Sequence, residues 1–371
     1  MKTRILCAAA AALALAMPTF GLAHDETAEG FQISGDGAAP IRADGHAPIG
    51  VMGDHMHKEG EWMISLRGMV MQMDGNRIGT SGIDPDTIAT AIPNRFFGQP
   101  GQPPTLRVVP LNMTMKMAML GGMYAPSDWL TLMVMAPWKH NEMEHVTYAG
   151  AAGTTVLGNF TTTSAGWGDV KTSGLVRLWD GNGQHVHLNL GLSLPTGSIT
   201  KSGTVLAPNG TTPNLRLPYA MQLGSGTWDI LPGLTWTGHA GAVGWGAQYS
   251  AVLRPGRNGE GYRLGNEQAL TAWASYEWAP WISNSLRIEG RSLGAIHGID
   301  PKIVAPVQTA NPDYYGGDTV NLLVGLNLVG QEGQLRGHRL ALEVGLPVYR
   351  DLNGPQLETD YTVMLGYQYA W

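Results

Sequence analysis

The sequence is short of cysteine, of charge and of long hydrophobic runs, and each shortage excludes a class of protein. Its only cysteine is Cys7, close to the N-terminus, so a scaffold held by intrachain disulfides is excluded. Charged residues make up 14% of the chain and the net charge is −6, which gives no sign of a nucleic-acid partner. Beyond the N-terminal region, residues 117–138 come nearest to an apolar helical span, but Pro126-Ser127-Asp128 divides them. The sequence therefore predicts no transmembrane helix.

The N-terminus has the composition of a secretory signal peptide. Lys2 and Arg4 precede an apolar stretch over residues 5–16, and the small residues at positions 21–23 suit a cleavage site. We therefore predict a signal peptide over residues 1–23. This prediction implies that the rest of the chain is exported.

What the chain does contain is glycine, together with segments that alternate between two kinds of residue. Glycine accounts for 51 residues, and alternation with a period of two is typical of β-strands that have two unlike faces. An exported, weakly charged, glycine-rich chain without a helical span has the composition of a transmembrane β-barrel. The segments that we predict as strands are 61–73, 107–123, 129–138, 168–180, 184–195, 228–238, 244–254, 267–279, 284–296, 318–329, 337–348 and 359–371.

The separators between these strands are alternately short and long. Gly181-Asn182-Gly183 is one of the short ones, which follow every second strand. The long separators are 74–106, 139–167, 196–227, 255–266, 297–317 and 349–358. We therefore predict an all-β fold, a closed antiparallel up-and-down transmembrane β-barrel of about twelve strands over residues 60–371. Its short turns would be periplasmic and its long loops extracellular.

Each predicted strand has one face that suits lipid. In the segment 337–348 the apolar residues share one face, whereas Arg339 and Glu343 share the other. The last strand alternates in the same way and ends in Tyr369 and Trp371, which suit the aromatic girdle of a membrane interface. Closure onto the first strand would remove its exposed edge. The alternative is a secreted soluble β-sandwich or β-solenoid, but such a fold does not need an apolar face on every strand.

Three stretches of the chain resemble one family of bacterial outer-membrane proteins. They are LSLPTG at 192–197, GSGTWD at 224–229 and GHRLALEVGLPVY at 337–349. The chain resembles, over residues 45–371, the outer-membrane transporter family named for the MetA pathway of phenol degradation. The resemblance implies a channel or transporter for small, often apolar molecules in the outer membrane of a Gram-negative bacterium. A last strand that ends on an aromatic residue also resembles the signal that barrel-insertion machinery recognises.

The strand faces opposite the lipid-facing ones are predicted to line the lumen. The charged residues on these faces are Arg67, Lys116, Asp169, Lys171, Arg177, Glu267, Glu277, Arg287, Glu289, Arg291, Arg339 and Glu343. A barrel of about twelve strands has a narrow lumen that side chains partly fill. The charged residues therefore form either a structural network of ion pairs or a constriction that selects small solutes by charge and size.

Methionine is concentrated in one part of the chain, because fourteen of the eighteen methionines lie between Met52 and Met143. Those predicted to face the lumen are Met69, Met71, Met73, Met133 and Met135. Those predicted to face lipid are Met113, Met115, Met117 and Met119. The second prediction rests on the polar residues Thr114 and Lys116, which alternate with those methionines.

Histidines flank the methionines, and thioethers are soft ligands that favour Cu(I). The candidate metal ligands are His46, Met52, His55 and His57 before the first strand, Met69, Met71 and Met73 within it, and His140, Met143 and His145 in the predicted second outer loop. They make a copper-binding or copper-transporting barrel the alternative function. The opposing interpretation is that the methionines are adaptable fillers and the histidines are solvated.

Residues 24–59 show no alternation and precede the first predicted strand. They form either a periplasmic lead or a plug inside the lumen. Residues 45–58 favour the plug, because Pro48, Ile49 and Val51 interrupt polar residues there. The two groups of histidines would lie at opposite membrane faces unless this segment enters the lumen.

The sequence therefore predicts an outer-membrane channel rather than an enzyme, with lipid and a small-molecule solute as its partners. A lipid hydrolase is one alternative, but no serine with a positioned base is visible on a lipid-facing side. His185 and His187, for example, share the polar face of their strand. A structural barrel without transport is the other alternative.

Overall fold

The computed structural model describes residues 41–371, so the predicted signal peptide and residues 24–40 lie outside the described residues. The strands are β1 (Trp62–Gly79), β2 (Ser81–Ile83), β3 (Val108–Ser127), β4 (Leu130–Tyr148), β5 (Val156–Trp167), β6 (Lys171–Gly181), β7 (Gln184–Ser193), β8 (Ser202–Thr204), β9 (Asn214–Arg216), β10 (Asp229–Ala240), β11 (Val243–Val252), β12 (Tyr262–Arg263), β13 (Glu267–Ala279), β14 (Ile282–Leu293), β15 (His297–Gly298), β16 (Gly317–Val329) and β17 (His338–Ala370). A helix, α1 (Pro85–Ala91), and four 3₁₀ turns (Tyr219–Met221, Gln308–Ala310, Pro312–Tyr314 and Gly333–Leu335) lie in the connections. Among the described residues, no helix has the length and apolarity needed to cross a membrane.

Eleven of these strands close into an antiparallel barrel. Neighbours follow the order β1, β3, β4, β6, β7, β10, β11, β13, β14, β16 and β17, and β17 pairs with β1. Strand β17 crosses the wall twice, because its start pairs with β16 at Arg339 and its end pairs with β1 at Ala370. The N–H of Ala370 donates to the carbonyl oxygen of Gly337 at 3.2 Å, which shows that β17 folds back on itself. Counting β17 twice gives twelve staves, so the predicted fold class is confirmed.

Tight turns join the strands at one end of the barrel, which we call the periplasmic end. Asn182 and Gly183 form the two-residue connection between β6 and β7, and their φ angles are 55° and 66°. Two successive left-handed residues are typical of the type I′ turn, whose twist suits antiparallel strands. Short turns also follow β3, β10 and β13. The short turns predicted after the second, fourth, sixth and eighth strands are therefore confirmed.

Several strands run further toward the other end, which we call the outer end, than the sequence predicts. Strand β4 pairs with β5 in its outer half, where Trp138 lies opposite Trp167, and with β6 in its periplasmic half. Strands β5 and β6 are therefore two halves of one stave, interrupted at residues 168–170. The prediction of a loop over 139–167 was wrong, as was that of a loop over 349–358. Backbone hydrogen bonding continues there although the apolar alternation has ended.

The outside of the barrel is apolar over a band, and aromatic residues mark both borders of the band. Leu66 on β1, Leu120 on β3 and Val324 on β16 are 49%, 54% and 58% exposed. The exposed tryptophans are Trp62, Trp129, Trp179, Trp278, Trp281 and Trp371 at the periplasmic end and Trp138, Trp167 and Trp228 at the outer end. A transmembrane barrel presents such a surface to lipid and to the two interfaces.

The connections at the outer end pack into a cap over the barrel. The residues of its main buried apolar cluster are Phe96, Val108, Tyr219, Tyr262, Ile296, Ile303, Val307 and Ala310. Arg107 is fully buried beside the connection that follows β4. It donates to the carbonyl oxygen of Ala149 at 2.9 Å and to that of Gly153 at 2.7 Å. These charge-assisted bonds give that connection a fixed shape.

Candidate functional site

Methionines cover the inward faces of β1 and β3. Residues opposite each other in an antiparallel pair lie on the same face of the sheet. The pairs are Met69 with Met117, Met71 with Met115, and Met73 with Met113. On the next strand, Met133 lies opposite Met123 and Met135 opposite Gly121 of β3, so both also face inward. We call the surface formed by these residues on β1, β3 and β4 the methionine wall.

The predictions for β3 were therefore wrong in both directions. Lys116 is exposed and lies opposite Val70, an exposed residue on the outward face of β1. Its methionine neighbours, Met113 to Met119, face the lumen instead. On the other side, Lys116 lies opposite His140 of β4. Both residues belong to the outer half of the wall, where outward positions such as Glu142 are polar because the apolar band has ended.

The middle of the methionine wall borders open space rather than packed side chains. The half-buried methionines there are Met69, Met71, Met117 and Met119, joined by Met364 of β17, which lies opposite Met69. Above them, Met113 and Met143 are buried against Leu217 and Met221 of the connection between β7 and β10. Below them, Met123 is buried with Met63. Packing therefore closes the wall at both ends and leaves its centre accessible.

The opposite side of the lumen carries ion pairs. Arg287 on β14 donates to Glu343 on β17 at 2.7 and 3.0 Å and to Glu289 at 2.8 Å. Arg291 lies 2.8 Å from Glu267. Arg287 and Glu343 are both buried, so each neutralises the charge of the other in the interior. The lumen is thus divided into a methionine side and a charged side.

Three further charges predicted to line the lumen lie elsewhere on the wall. Lys171 faces inward on β6, and Arg177 lies near the periplasmic end, 3.2 Å from a carboxylate of its own strand. Asp169 lies in the interruption between β5 and β6. Its carboxylate accepts the N–H of Gly197 at 2.8 Å and that of Ser225 at 2.7 Å. Asp169 therefore anchors the connection that follows β7.

Residues 41–58, which we call the inner segment, lie inside the periplasmic half of the barrel. Arg67 donates to the carbonyl oxygens of Ile49 at 2.8 Å and Val51 at 3.1 Å. The carboxylate of Glu343 accepts the N–H of Gly50 at 2.9 Å. Charged side chains of the lumen therefore satisfy backbone groups of the inner segment, which the strand ladder cannot reach.

Other wall residues hold the inner segment on either side of Ile49 and Val51. Arg339 donates to the carbonyl oxygen of Ala47 at 2.7 Å, and Gln248 to that of Met52 at 2.9 Å. Closer to the periplasmic end, Glu277 accepts the N–H of Ala43 at 3.0 Å. The inner segment is thus bonded to several different strands, and the lumen charges act as its anchors.

Gly50 allows the inner segment to pass the central ion pair. A Cβ at this position would collide with the guanidinium of Arg287 and the carboxylate of Glu343, and would lie 2.7 Å from Cε of Met364. Any larger residue would therefore have to displace either the ion pair or the segment.

Three potential metal ligands of the inner segment converge. The Nδ1 atoms of His46 and His55 are 3.3 Å apart, and Nδ1 of His55 lies 3.1 Å from Oδ1 of Asp54. Nδ1 of His46 lies 3.9 Å from Oδ2 of Asp54. The ring of His57 lies beside that of His55, with centroids 4.9 Å apart. Burial, with His55 nearby, holds the pKa of His46 well below its usual range, which favours the neutral ring, the form that binds metals.

The residues predicted to bind copper are not all brought together. The sulfur of Met52 lies 2.6 Å from Nη1 of Arg67. His145 faces inward near the outer end, where its ring stacks on Phe160 at 4.7 Å. His140 is on the outward face of β4. His140, Met143 and His145 all belong to strand β4 rather than to the predicted loop. Met69, Met71 and Met73 lie on the methionine wall and Met143 lies in its upper packing. Asp54, which the sequence interpretation missed, directly precedes His55.

Two cavities border the lumen. The one at the periplasmic end has a volume of about 430 Å³, and His46 and His55 line it together with wall residues His185, His187 and His239. The other lies in the cap at the outer end and has a volume of about 510 Å³. Its lining is mostly apolar and includes Val108, Phe160, Leu206, Leu215, Leu217, Val304 and Val307.

Comparisons with known proteins bear on the fold. No family model matches the chain, and no curated protein matches it. An outer membrane channel from Pseudomonas putida F1 superimposes with a TM-score of 0.54 at 13% identity, covering 86% of this chain and 98% of that one. A FadL homologue from Pseudomonas aeruginosa gives a TM-score of 0.42 at 10% identity, covering 92% and 99% of the two chains. The P. putida toluene transporter TodX gives 0.40 at 9% identity, covering 85% and 91%. The first similarity shows that this chain shares the fold of an outer-membrane channel.

Proposed function

We propose that this protein is an outer-membrane channel that admits small apolar molecules, aromatic ones included, along the methionine wall. The observation that carries the proposal is the row of accessible inward methionines in the middle of the lumen, centred on Met69 and Met117. The sequence resemblance to outer-membrane transporters supports it, and so does the apolar exterior of the barrel. Outer-membrane lipid and the barrel-insertion machinery are the partners that this function requires.

Methionine suits a surface that must accept apolar molecules of varied shape. Its side chain is unbranched and its thioether is polarisable, so it adapts to a solute and makes favourable contacts with aromatic rings. A water-filled pore for polar solutes would not need such a wall, because polar residues would serve it better. The ion pairs of Arg287 with Glu343 and of Arg291 with Glu267 each add no net charge to the lumen.

The cap provides a place where an apolar solute would first bind. Its cavity of about 510 Å³ is lined by residues such as Phe160 and Leu215. A cavity of roughly 150 Å³ is enough to bind benzene, so a small aromatic molecule fits easily. Leu217 also lines this cavity and packs on the upper methionines, so a movement of this residue would join the cavity to the methionine wall.

Uptake measurements test the proposal directly. A strain that lacks the protein would be complemented with wild type or with the double variant Met69→Asp/Met117→Asp, and uptake of radiolabelled toluene at limiting concentration would be followed. We expect the variant to reduce uptake at least about tenfold, because an apolar solute cannot displace water from two carboxylates without a cost of 1.4 kcal/mol or more.

The matched control is Met69→Leu/Met117→Leu, which keeps the wall apolar and should retain most of the uptake. Heat-modifiable migration in gels would confirm that all variants form barrels. Equal uptake by the wild type and the deletion strain would contradict the proposal and favour a structural barrel.

A further inference from the structure

We propose that the inner segment binds one divalent transition-metal ion of borderline softness, such as Zn²⁺ or Cu²⁺, through Nδ1 of His46, Nδ1 of His55 and the carboxylate of Asp54. The site is separate from the methionine wall. Its existence does not depend on which solute the channel carries.

The separations between the three ligand atoms match those of a tetrahedral site. Bonds of about 2.0–2.1 Å at tetrahedral angles place ligand atoms roughly 3.4 Å apart. The two imidazole nitrogens are 3.3 Å apart, and the nearer carboxylate oxygen lies 3.1 Å from His55 and the other 3.9 Å from His46. The three ligand atoms lie within 4.8 Å of one another, so a rotation of the Asp54 side chain that brings one oxygen closer to His46 would place all three around one ion.

The surroundings hold these ligands in position. Oδ2 of Asp54 accepts the N–H of Ala47 at 2.9 Å, which orients the carboxylate and leaves Oδ1 directed at His55. Arg339 fixes the carbonyl oxygen of Ala47 in turn. Such outer contacts are what keep metal ligands in the correct orientation. Both His46 and Asp54 are buried, so the site is built into the interior rather than formed by mobile surface side chains.

Within residues 41–371, some ring nitrogens beside the proposed ligand atoms lack a hydrogen-bond partner, although none of these nitrogens is itself a proposed ligand atom. Among the described residues, Nε2 of His55 and both ring nitrogens of His57 are buried without a hydrogen-bond partner, although Nδ1 of His57 lies 3.4 Å from a Glu61 carboxylate oxygen. Buried polar atoms that lack partners call for an explanation such as water or an ion. A cation between His46 and His55 would replace the 3.3 Å hydrogen-bond contact between their Nδ1 atoms by two coordinate bonds.

The ligand set indicates the class of metal. Two imidazoles and one carboxylate suit Zn²⁺, Cu²⁺ or Ni²⁺, whereas Ca²⁺ and Mg²⁺ require more oxygen ligands. Cu(I) would need thioethers, yet the sulfur of Met52 lies against the Arg67 guanidinium, where a cation would be repelled. A Cu(I) site on Met69, Met71 and Met73 remains a separate prediction from the sequence.

Binding of an ion would link two parts of the inner segment that lie on either side of its middle. His46 precedes, and Asp54 and His55 follow, the stretch whose carbonyl oxygens accept hydrogen bonds from Arg67. An ion bound to these three residues would therefore stabilise that stretch in its closed position. His46, Asp54 and His55 all line the cavity of about 430 Å³, which is also lined by His185, His187 and His239. An ion could therefore enter and leave from the periplasmic end.

Metal titration of the purified full-length protein in detergent tests the inference. After chelation and dialysis, Co²⁺ would be added as a spectroscopic probe, and Zn²⁺ affinity would be measured by competition with a chromophoric chelator. We expect one ion per chain with the visible absorption bands of four-coordinate Co²⁺. His55→Gln and Asp54→Asn should each weaken binding at least about tenfold, since each removes a ligand.

His297→Gln is the matched control, because His297 is exposed on the cap and far from the cluster in sequence. It should bind with unchanged affinity, and circular dichroism would show that every variant keeps its strands. The inference would be overturned if the folded wild type bound no stoichiometric ion. It would equally be overturned if His55→Gln and Asp54→Asn both bound as tightly as the control.

Discussion

Single arginines determine how the lumen is closed. Arg67 has no carboxylate within bonding distance in the described part of the chain; its guanidinium holds the carbonyl oxygens of Ile49 and Val51. Arg339 acts in the same way on Ala47. A guanidinium with five donors suits this task better than an ammonium does, because it reaches several acceptors in one plane. The inner segment is therefore held mainly by hydrogen bonds to its backbone. The amino-acid sequence of the segment specifies such bonds only weakly.

Replacement of Arg67 by alanine should release the inner segment. Two buried carbonyl oxygens would lose their charged donor, and each unsatisfied group costs about 1–3 kcal/mol. The open form of the channel should become at least about tenfold more populated, because 1.4 kcal/mol corresponds to a tenfold change. Single-channel recording in planar bilayers would show this as a higher open probability. Arg67→Lys keeps a charged donor group and should give a smaller change. An alanine variant with wild-type traces would contradict this role.

The sequence predicts some of these residues well and others poorly. Arg287 and Glu343 lie on the polar faces of strongly alternating strands, so their inward direction follows from the pattern. Asp54 could not be singled out, because its importance comes from the fold of the inner segment around it. Lys116 was misplaced because a charge was assumed to avoid the outward face, although that face is polar at the outer end.

At the scale of single strands, the orientation of β3 is the feature that most changes the interpretation of the lumen. Its register with β1 turns five methionines inward and gives the lumen an apolar side. Alternation alone could not decide between the two faces of β3, since methionine is compatible with lipid and with a lumen. The partner strand decides it, because a shift of one residue would reverse every side chain.

Cysteine labelling tests the orientation of β3, and the chain has no cysteine except Cys7. Met117→Cys should react with a small water-soluble maleimide, because the side chain borders the open centre of the lumen. Leu120→Cys, on the outward face within the apolar band, should react at least about tenfold more slowly in lipid vesicles, since a thiol facing hydrocarbon is not ionised and is shielded from the reagent. Mass spectrometry of the labelled protein would measure both rates. The reverse order of reactivity would mean that β3 has the opposite face inward.

The ends of the strands are the least predictable part of the fold. Strands β4 and β17 extend into segments that the sequence indicates as loops, 139–167 and 349–358. Apolar alternation reports contact with lipid, and it stops where the wall leaves the apolar band. Backbone hydrogen bonds do not depend on lipid, so the ladder continues toward the cap. The number of strands and the closure of the barrel were predictable because both depend on the turns between strands. These turns have distinctive residues such as Asn182 and Gly183.

At the scale of the whole molecule, the arrangement of apolar and polar residues is inverted relative to a soluble protein. The largest apolar residues are exposed on the outside, whereas buried positions include Arg287, Arg339 and Glu343. This distribution is stable only if hydrocarbon surrounds the barrel, because water would penalise the exposed band. The cap and the inner segment then close the two ends of the lumen. Transport therefore requires movement of these two elements rather than of the wall.

The depth of each outward residue in the bilayer should set the cost of placing a charge there. Val324 is the middle one of five outward apolar residues on β16, whereas Leu328 lies one residue before the strand ends at Val329. We expect Val324→Arg to lower the free energy of unfolding by about 2–4 kcal/mol and Leu328→Arg by about 0–1 kcal/mol. Urea titration of the barrel refolded in lipid vesicles, followed by tryptophan fluorescence, would measure both values. Equal costs at the two positions would show that the band on β16 is not centred where this structure places it, and the assignment of β16 to the membrane would have to be revised.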